Sequence, residues 1–149
     1  MSDKRTLYSD AAALSAFNRD VVEEFRANEG RVGGSFEGAT LLLLHTRGAR
    51  SGQPRLSPLA YLTIDDKMII VGSYAGAPNN PAWVHNLRAD PAARIEVGTD
   101  SYDVVARELT AEERDRTYPR IVALAPVFAD YQANTARLIP LFELVRVQP

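Results

Sequence analysis

The side chains best suited to chemistry fall in two short stretches. The first, HTRGARSGQPRLSPLAY over residues 45–61, sets Arg47, Arg50 and Arg55 around Gly48 and Gly52. Glycines there permit tight turns and close approach of a ligand. Guanidinium forks suit phosphate or carboxylate, and Ser51 and Gln53 add neutral donors. This is not a nucleotide P-loop: three residues separate its glycines, no Gly-Lys-Ser/Thr follows, and a strand pattern comes next where that motif needs a helix. The alternative is a basic hairpin loop with solvated arginines. The second stretch, VGSYAGAPNNPAWVHNL over 71–87, ends an apolar run at Gly72-Ser73 and opens a helix, with Asn80 as N-cap and Pro81 as first helical residue. The free N–H groups of that helix would face the space beyond the strand end, ready for an anion or a carbonyl. The alternative is a plain cap with a core Trp83. A third element, VFADYQ, places Phe128 and Tyr131 on one side of a helix. The phenol there could donate a hydrogen bond or a proton, or the pair could be a core contact.

Other chemistries lack their residues. The chain has no cysteine, which removes a disulfide framework, thiolate-held metal and a thiol nucleophile. His45 and His85 are the only histidines and show no metal-ligand spacing, so no metal site is expected. Ser51, Ser57 and Ser73 lack a nucleophile-elbow setting. The acidic pairs Asp65-Asp66 and Glu112-Glu113 belong to a turn and a helix start. A formal net charge of -2 disfavours nucleic acid as a partner, although a local anion site depends on where charge sits. The opening residues are polar rather than signal-like. No apolar run approaches the ~20 residues of a membrane span, so no integral membrane segment is expected and the expected location is the cytoplasm.

The elements that must position these residues can be read from periodicity. Residues 9–28 form an amphipathic helix, with Ser9 or Asp10 as N-cap, an apolar stripe of Leu14, Phe17, Val21, Val22 and Phe25, and Gly30 as its stop. Its mixed charges lack the basic bias of a lipid-binding face, so it should pack on its own domain. Glycine-rich 30–38 reads as a loop. Strands are expected over 39–46, 54–64, 68–74, 93–98, 101–110 and 139–147. The first is apolar throughout and therefore covered on both faces. Thr110 and Glu113 have capping-box spacing at the start of a further helix, which Pro119 should kink or divide. A short helix follows within 125–136. About six strands, mostly joined as hairpins with helices inserted, argue for a small, mainly antiparallel barrel rather than a doubly wound sheet. If 54–64 and 68–74 form one hairpin, the arginine loop and the start of the helix after Asn80 lie at the same end of the sheet and face one cleft.

The two loops together, with Gly-x-x-Ser-Gly-x-Pro-Arg over 48–55, Asn-Pro-Ala-Trp-x-x-Asn-Leu over 80–87 and IEVG over 95–98, closely resemble the deazaflavin-dependent nitroreductase family, the actinobacterial reductases that use coenzyme F420. The resemblance runs from about Gly30 to the last strand. It implies a split β-barrel, one F420-binding domain over 1–149 with the helix of 1–29 packed on it. F420 carries a phosphate and an oligoglutamate tail, an anion suited to the loop. By resemblance, Arg50, Ser51 and Arg55 hold phosphate and tail, while Ser57, Pro58, Leu59 and Ala60 run beside the deazaflavin. Val71, Gly72, Ser73 and Tyr74 line its other flank. Ala82, Trp83, Val84, His85 and Asn86 close the site, and Phe128 and Tyr131 stand over the substrate side. The reaction implied is hydride transfer to a small electron-poor acceptor, a quinone, enone or nitro compound. Tyr131 or water would return a proton, and N–H groups near Ser73 and Trp83 would steady developing charge. Nitroimidazole-activating members carry tyrosine at the places of Ala60 and Phe128 and lysine at the place of Tyr74, so this pocket is less polar. An FMN-binding barrel reductase and a non-catalytic F420 or flavin carrier are the rival readings. Three arginines within nine residues favour the longer anion.

Overall fold

Four consecutive leucines, Leu41 to Leu44, are all buried, as a strand covered on both faces requires. Side chains alternate along a strand. Leu42 and Leu44 enter one core with Ile70, Ile95, Val104 and Phe142, while Leu41 and Leu43 meet Val21 and Phe25 on the opposite face. The computed structural model describes residues 11–33 and 40–147, with side chains from residue 16 onward. The N-cap at Ser9 or Asp10, the Leu14 side chain and most of the glycine-rich loop lie outside the described residues. The elements are α1 (Ala11–Ala27), β1 (Leu41–Arg47), β2 (Pro54–Ile64), β3 (Lys67–Val71), a 3-10 turn (Tyr74–Gly76), α2 (Ala82–Ala89), β4 (Ala92–Val97), β5 (Asp100–Glu108), α3 (Ala111–Leu124), α4 (Val127–Ala133) and β6 (Leu141–Arg146).

The six strands close into a barrel in the order β1-β2-β3-β6-β5-β4, and every pairing is antiparallel. This is the architecture expected from the hairpin pattern. The β2–β3 connection is a two-residue turn with Asp65 at φ 53° and Asp66 at φ 63°, the left-handed pair whose twist suits a tight hairpin. Trp83, Val84 and Leu87 of α2 join the barrel core. Helices α3 and α4 cover the outer face of β3 and β6, where Tyr118 and Ile121 meet Ile69, Ile139 and Leu141. The capping box forms as the spacing indicated, Thr110 Oγ1 accepting from Glu113 N at 3.2 Å and Glu113 Oε1 from Thr110 N at 2.9 Å.

Of the two outcomes expected at Pro119, a kink or a division, the division does not occur, and α3 runs without a break from Ala111 to Leu124. The capping box and the burial of Tyr118 and Ile121 hold the helix together across the single hydrogen bond that proline cannot donate. The third strand stops at Val71 rather than Tyr74, because Tyr74 (φ 49°), Ala75 (φ 54°) and Gly76 (φ 78°) turn into the left-handed region, which no strand can continue.

Helix α1 is pinned to the barrel by a charge cluster as well as by Phe25. Glu96 on β4 accepts from Arg26 Nη2 at 2.8 Å, and its Oε2 lies 2.7 Å from His45 Nε2. The Arg26 hydrogen bond holds the Glu96 carboxyl below its usual range, and His45 adds to the effect. A depressed carboxyl stabilises the fold above its unfolded pKa and loses that contribution as pH falls through the folded value. Glu96→Gln should therefore cost up to about 1 kcal/mol near neutrality, and the difference from wild type should vanish toward acid pH. Thermal melts across pH 7 to pH 3 check this; a constant gap would remove the cluster as its source.

Candidate active site

The arginine loop is built before any ligand is considered. Gly48 N donates to Gln53 O at 2.8 Å and Gly52 N to Gly48 O at 2.9 Å, and Gly52 sits at φ 70°. Ser51 Oγ accepts from Gln53 N at 3.1 Å and from Arg55 Nη2 at 3.4 Å. Arg47, Arg50 and Arg55 are exposed, and among the described residues none pairs with a carboxylate. Elsewhere Arg26, Arg88, Arg94, Arg107, Arg114, Arg116 and Arg120 all do. Arg55 also edges a groove of about 880 Å³ between α1 and the start of β2, where Arg19, Val22 and Glu23 face Pro54 and Leu56. A second hollow, of about 430 Å³, lies by the β2–β3 turn. There Arg107 and Arg120 are already bonded to Glu113, Glu143 and Asp65.

The loop lies beside an incomplete strand pairing. β2 pairs with β1 over 54–60 and with β3 only over 61–64, so among the described residues its first half has a strand on one side alone. That is where a proline is tolerated, and Pro58 is there, buried. Leu59 faces the barrel core and Ala60 faces α1. Alternation puts Ser57 with Leu59 and Pro58 with Ala60. The run assigned to the deazaflavin side is thus divided between two faces. Val71 ends β3 next to the level of Ala60, and Arg55 is five residues farther along β2, about 17 Å at strand rise. The two loops do not stand at one level; they mark two points along one strand.

Helix α2 connects them. Asn86, buried, accepts from Ala49 N through Oδ1 at 2.9 Å and donates from Nδ2 to Thr46 Oγ1 at 3.2 Å. Its role is to hold the arginine loop. At the other end, a Cβ on Gly72 would lie 2.9 Å from Val84 Cγ2, so the helix start packs directly on the end of β3. Ala82 and His85 are exposed. Trp83 stacks edge-on against Phe142 at 5.7 Å inside the barrel, and Val84 is fully buried. Those two can offer a ligand backbone but not side chain. The expected cap is corrected: Pro81 is the N-cap and no side chain caps α2. Asn80 Oδ1 is taken instead by Arg137 Nη1 at 2.8 Å.

Arg137 is the residue that pattern reading missed. Nε donates to Ala77 O at 3.0 Å, Nη1 to Gly72 O at 3.0 Å and Nη2 to Ser73 O at 2.8 Å. Burial pulls its pKa down, and no carboxylate among the described residues accepts from it. Gln132 supports it, with Nε2 donating to Arg137 O at 2.8 Å and Oε1 accepting from Ile139 N and Arg114 Nη2. A lone arginine before an apolar strand gives no periodic signal; only its distance from the 72–80 loop in sequence hid it. On the far side of the turn, a Cβ at Gly76 would lie 2.9 Å from Tyr131 O, which brings α4 against Ser73–Gly76. Phe128 and Tyr131 meet edge to face at 5.7 Å. Both are half-buried, and burial raises the Tyr74 phenol. Tyr118 is raised to about 12 by burial, and its hydroxyl donates to Phe128 O at 2.8 Å. Among the described residues, no group of three or more His, Asp or Glu could hold a metal, and no helix is long and apolar enough to cross a membrane.

A family model described as F420H(2)-dependent quinone reductase matches residues 17–146. An F420H(2)-dependent quinone reductase of Mycobacterium tuberculosis is 38% identical over 128 residues, 82% of this chain and 85% of the relative. A solved structure described as an F420-H2 dependent reductase is 37% identical with a TM-score of 0.61, covering 70% of this chain and 92% of the other. Another, described as a domain-swapped dimer, is 32% identical with a TM-score of 0.64, covering 85% and 95%.

Asn86→Ala should leave Ala49 N and Thr46 Oγ1 without their partner at a cost of about 1–3 kcal/mol. The released loop should be cut faster by trypsin at Arg47 and Arg50. Limited digestion mapped by mass spectrometry tests this, and an unchanged cleavage rate would show that Asn86 does not hold the loop.

Proposed function

The chain belongs to the F420H(2)-dependent quinone reductase family, and on that footing we propose that its arginine loop and the open half of β2 hold coenzyme F420 for reduction of a quinone. It is an F420-dependent reductase, and its cofactor is coenzyme F420. The observation that carries the site reading is the arginine loop itself. In a structure whose other arginines are largely paired with carboxylates, Arg47, Arg50 and Arg55 stay exposed and, among the described residues, without a carboxylate partner, on a loop fixed by its own backbone. A polyanionic tail satisfies what the fold leaves unsatisfied.

The residues present fit the group. Arg50, Arg55 and Ser51 are placed to bind phosphate and carboxylates at one end. In this reading the other end, about 17 Å farther along β2, falls to Ser73 and to the first-turn N–H groups of α2 at Ala82 and Trp83, a helix that packs on the end of β3 through Val84 and Gly72. Those helix-start donors have no intrahelical acceptor, so they can take ring carbonyls and steady negative charge. When bound and reduced, the cofactor supplies a hydride. Tyr131 supplies a proton from its hydroxyl, which has no partner among the described residues. Phe128 holds its ring edge-on and keeps water from that side. Ala60 and Phe128 make the acceptor side less polar than tyrosines would, which favours a quinone or an enone over a nitroimidazole.

Titration with F420 and with FMN, followed by turnover of menadione, separates this reading from an FMN enzyme and from a carrier. Tight F420 binding with turnover is expected; binding without turnover would leave a carrier, and FMN preference would end the reading. Arg55→Ala should weaken F420 binding by about tenfold, 1.4 kcal/mol, and the gap should narrow as salt rises. Tyr131→Phe should lower kcat with little change in F420 affinity; full activity would remove its proton-donor role.

A further inference from the structure

We propose that Arg137 is a positioning residue: it holds the strained turn Ser73–Gly76 in the shape that aims the Ser73 N–H group at the cofactor. The inference rests on the reading that this turn flanks bound F420. Its physical content lies in where the guanidinium's bonds go. Two acceptors, Gly72 O and Ser73 O, precede the turn, and two, Ala77 O and Asn80 Oδ1, follow it. Between them Tyr74 and Ala75 take φ 49° and 54°, a region that residues with a Cβ avoid. Such conformations persist only where the surroundings overdetermine them. Here the surroundings are Arg137 on one side and the α4 backbone, packed against Gly76, on the other.

The direction of the donors follows from peptide geometry. There is no cis peptide bond among the described residues, so each C=O and the N–H of the next residue point opposite ways. Drawing Gly72 O and Ser73 O onto Arg137 turns the N–H groups of Ser73 and Tyr74 away from it. Ser73 is 8% exposed, and its N–H has no acceptor among the described residues, which is uncommon for a buried backbone donor. A cation bonded to the carbonyl of a peptide also strengthens the N–H on that peptide as a donor. A half-buried guanidinium with only neutral acceptors carries a desolvation cost that an apolar side chain would not. All four acceptors belong to the loop of 72–80. Gln132 and Arg114 then fix the chain on which Arg137 stands.

The test uses Arg137→Lys, which keeps the charge but loses the planar fork, alone and combined with Ala75→Gly. Glycine adopts the left-handed conformation without penalty, so it should relieve the need for the clamp. F420 dissociation constants from fluorescence titration are compared with KM and kcat for menadione reduction and with melting temperature. Arg137→Lys is expected to weaken F420 binding by about fivefold to tenfold. Adding Ala75→Gly should recover at least half of that loss on a logarithmic scale, measured against Ala75→Gly alone. An Arg137→Lys chain that melts lower but binds F420 as wild type does would make Arg137 merely structural, and a double variant no better than the single one would equally overturn the proposal. Wild-type protein that fails to bind F420 would instead remove the functional reading beneath it. If Arg55→Ala weakens binding while Arg137→Lys does not, the loop reading stands and the clamp falls.

Discussion

Strand β2 is eleven residues long and β3 is five, and this mismatch decides where everything else goes. A strand that outlasts its neighbour leaves backbone donors and acceptors along one edge, an arrangement that folded proteins cover or use. Here β1 continues beside β2 to its far end, so the barrel stays closed while, among the described residues, half of β2 has no strand on the other side. The chain leaving β3 cannot follow β2. It turns at Ser73–Gly76 and runs into α2, whose Trp83, Val84 and Leu87 plug the barrel end. The same helix then reaches the arginine loop through Asn86. Opening, turn, helix and loop are thus consequences of one difference in length.

Arginine is used in three distinct ways in this fold. Arg88 with Glu108 and Arg120 with Asp65 form exposed forked pairs, worth little each in solvent. Arg137 makes no ion pair and spends its donors on carbonyls and an amide, which demands a planar fork rather than a point charge. Arg47, Arg50 and Arg55 pair with no carboxylate among the described residues, and only Arg55 bonds neutral acceptors, both within its own loop. The net charge of the chain is -2, so the loop is a local field set against an acidic background, and such a field guides an anion to one place rather than to the whole surface.

The fold was legible where one physical rule acted alone. The unbroken leucine run announced a strand with two covered faces, the Asp65-Asp66 pair a tight hairpin, and Thr110 with Glu113 a capping box. The turn of the arginine loop was legible for the same reason, since its glycines answer to local backbone geometry. Legibility failed where tertiary contacts competed with local ones. Asn80 has the right side chain for an N-cap, yet Arg137 recruits it from fifty-seven residues away. Pro119 should interrupt α3, yet packing of Tyr118 and Ile121 carries the helix through. The strand expected to reach Tyr74 is cut short by a turn that non-glycine residues would not choose unaided. No pattern in 131–138 showed that Gln132 and Arg137 hold that turn, because their partners are distant carbonyls.

Ala60 is where these constraints meet. It sits next to the level at which β3 ends, on the face of β2 that α1 covers, within the cluster of Val21, Phe25, Leu41 and Leu43. A small residue there has a consequence for packing. It lets α1 lie close on β2, with Phe17, Val22 and Leu56 filling in around it. A tyrosine at this position would have to displace that packing or turn its ring out toward the opening, and overpacking a filled interior is itself destabilising. The identity of residue 60 therefore bears on how tightly the first helix is held. Because Arg26, His45 and Glu96 independently fix the same helix, its seat is already set before any acceptor arrives.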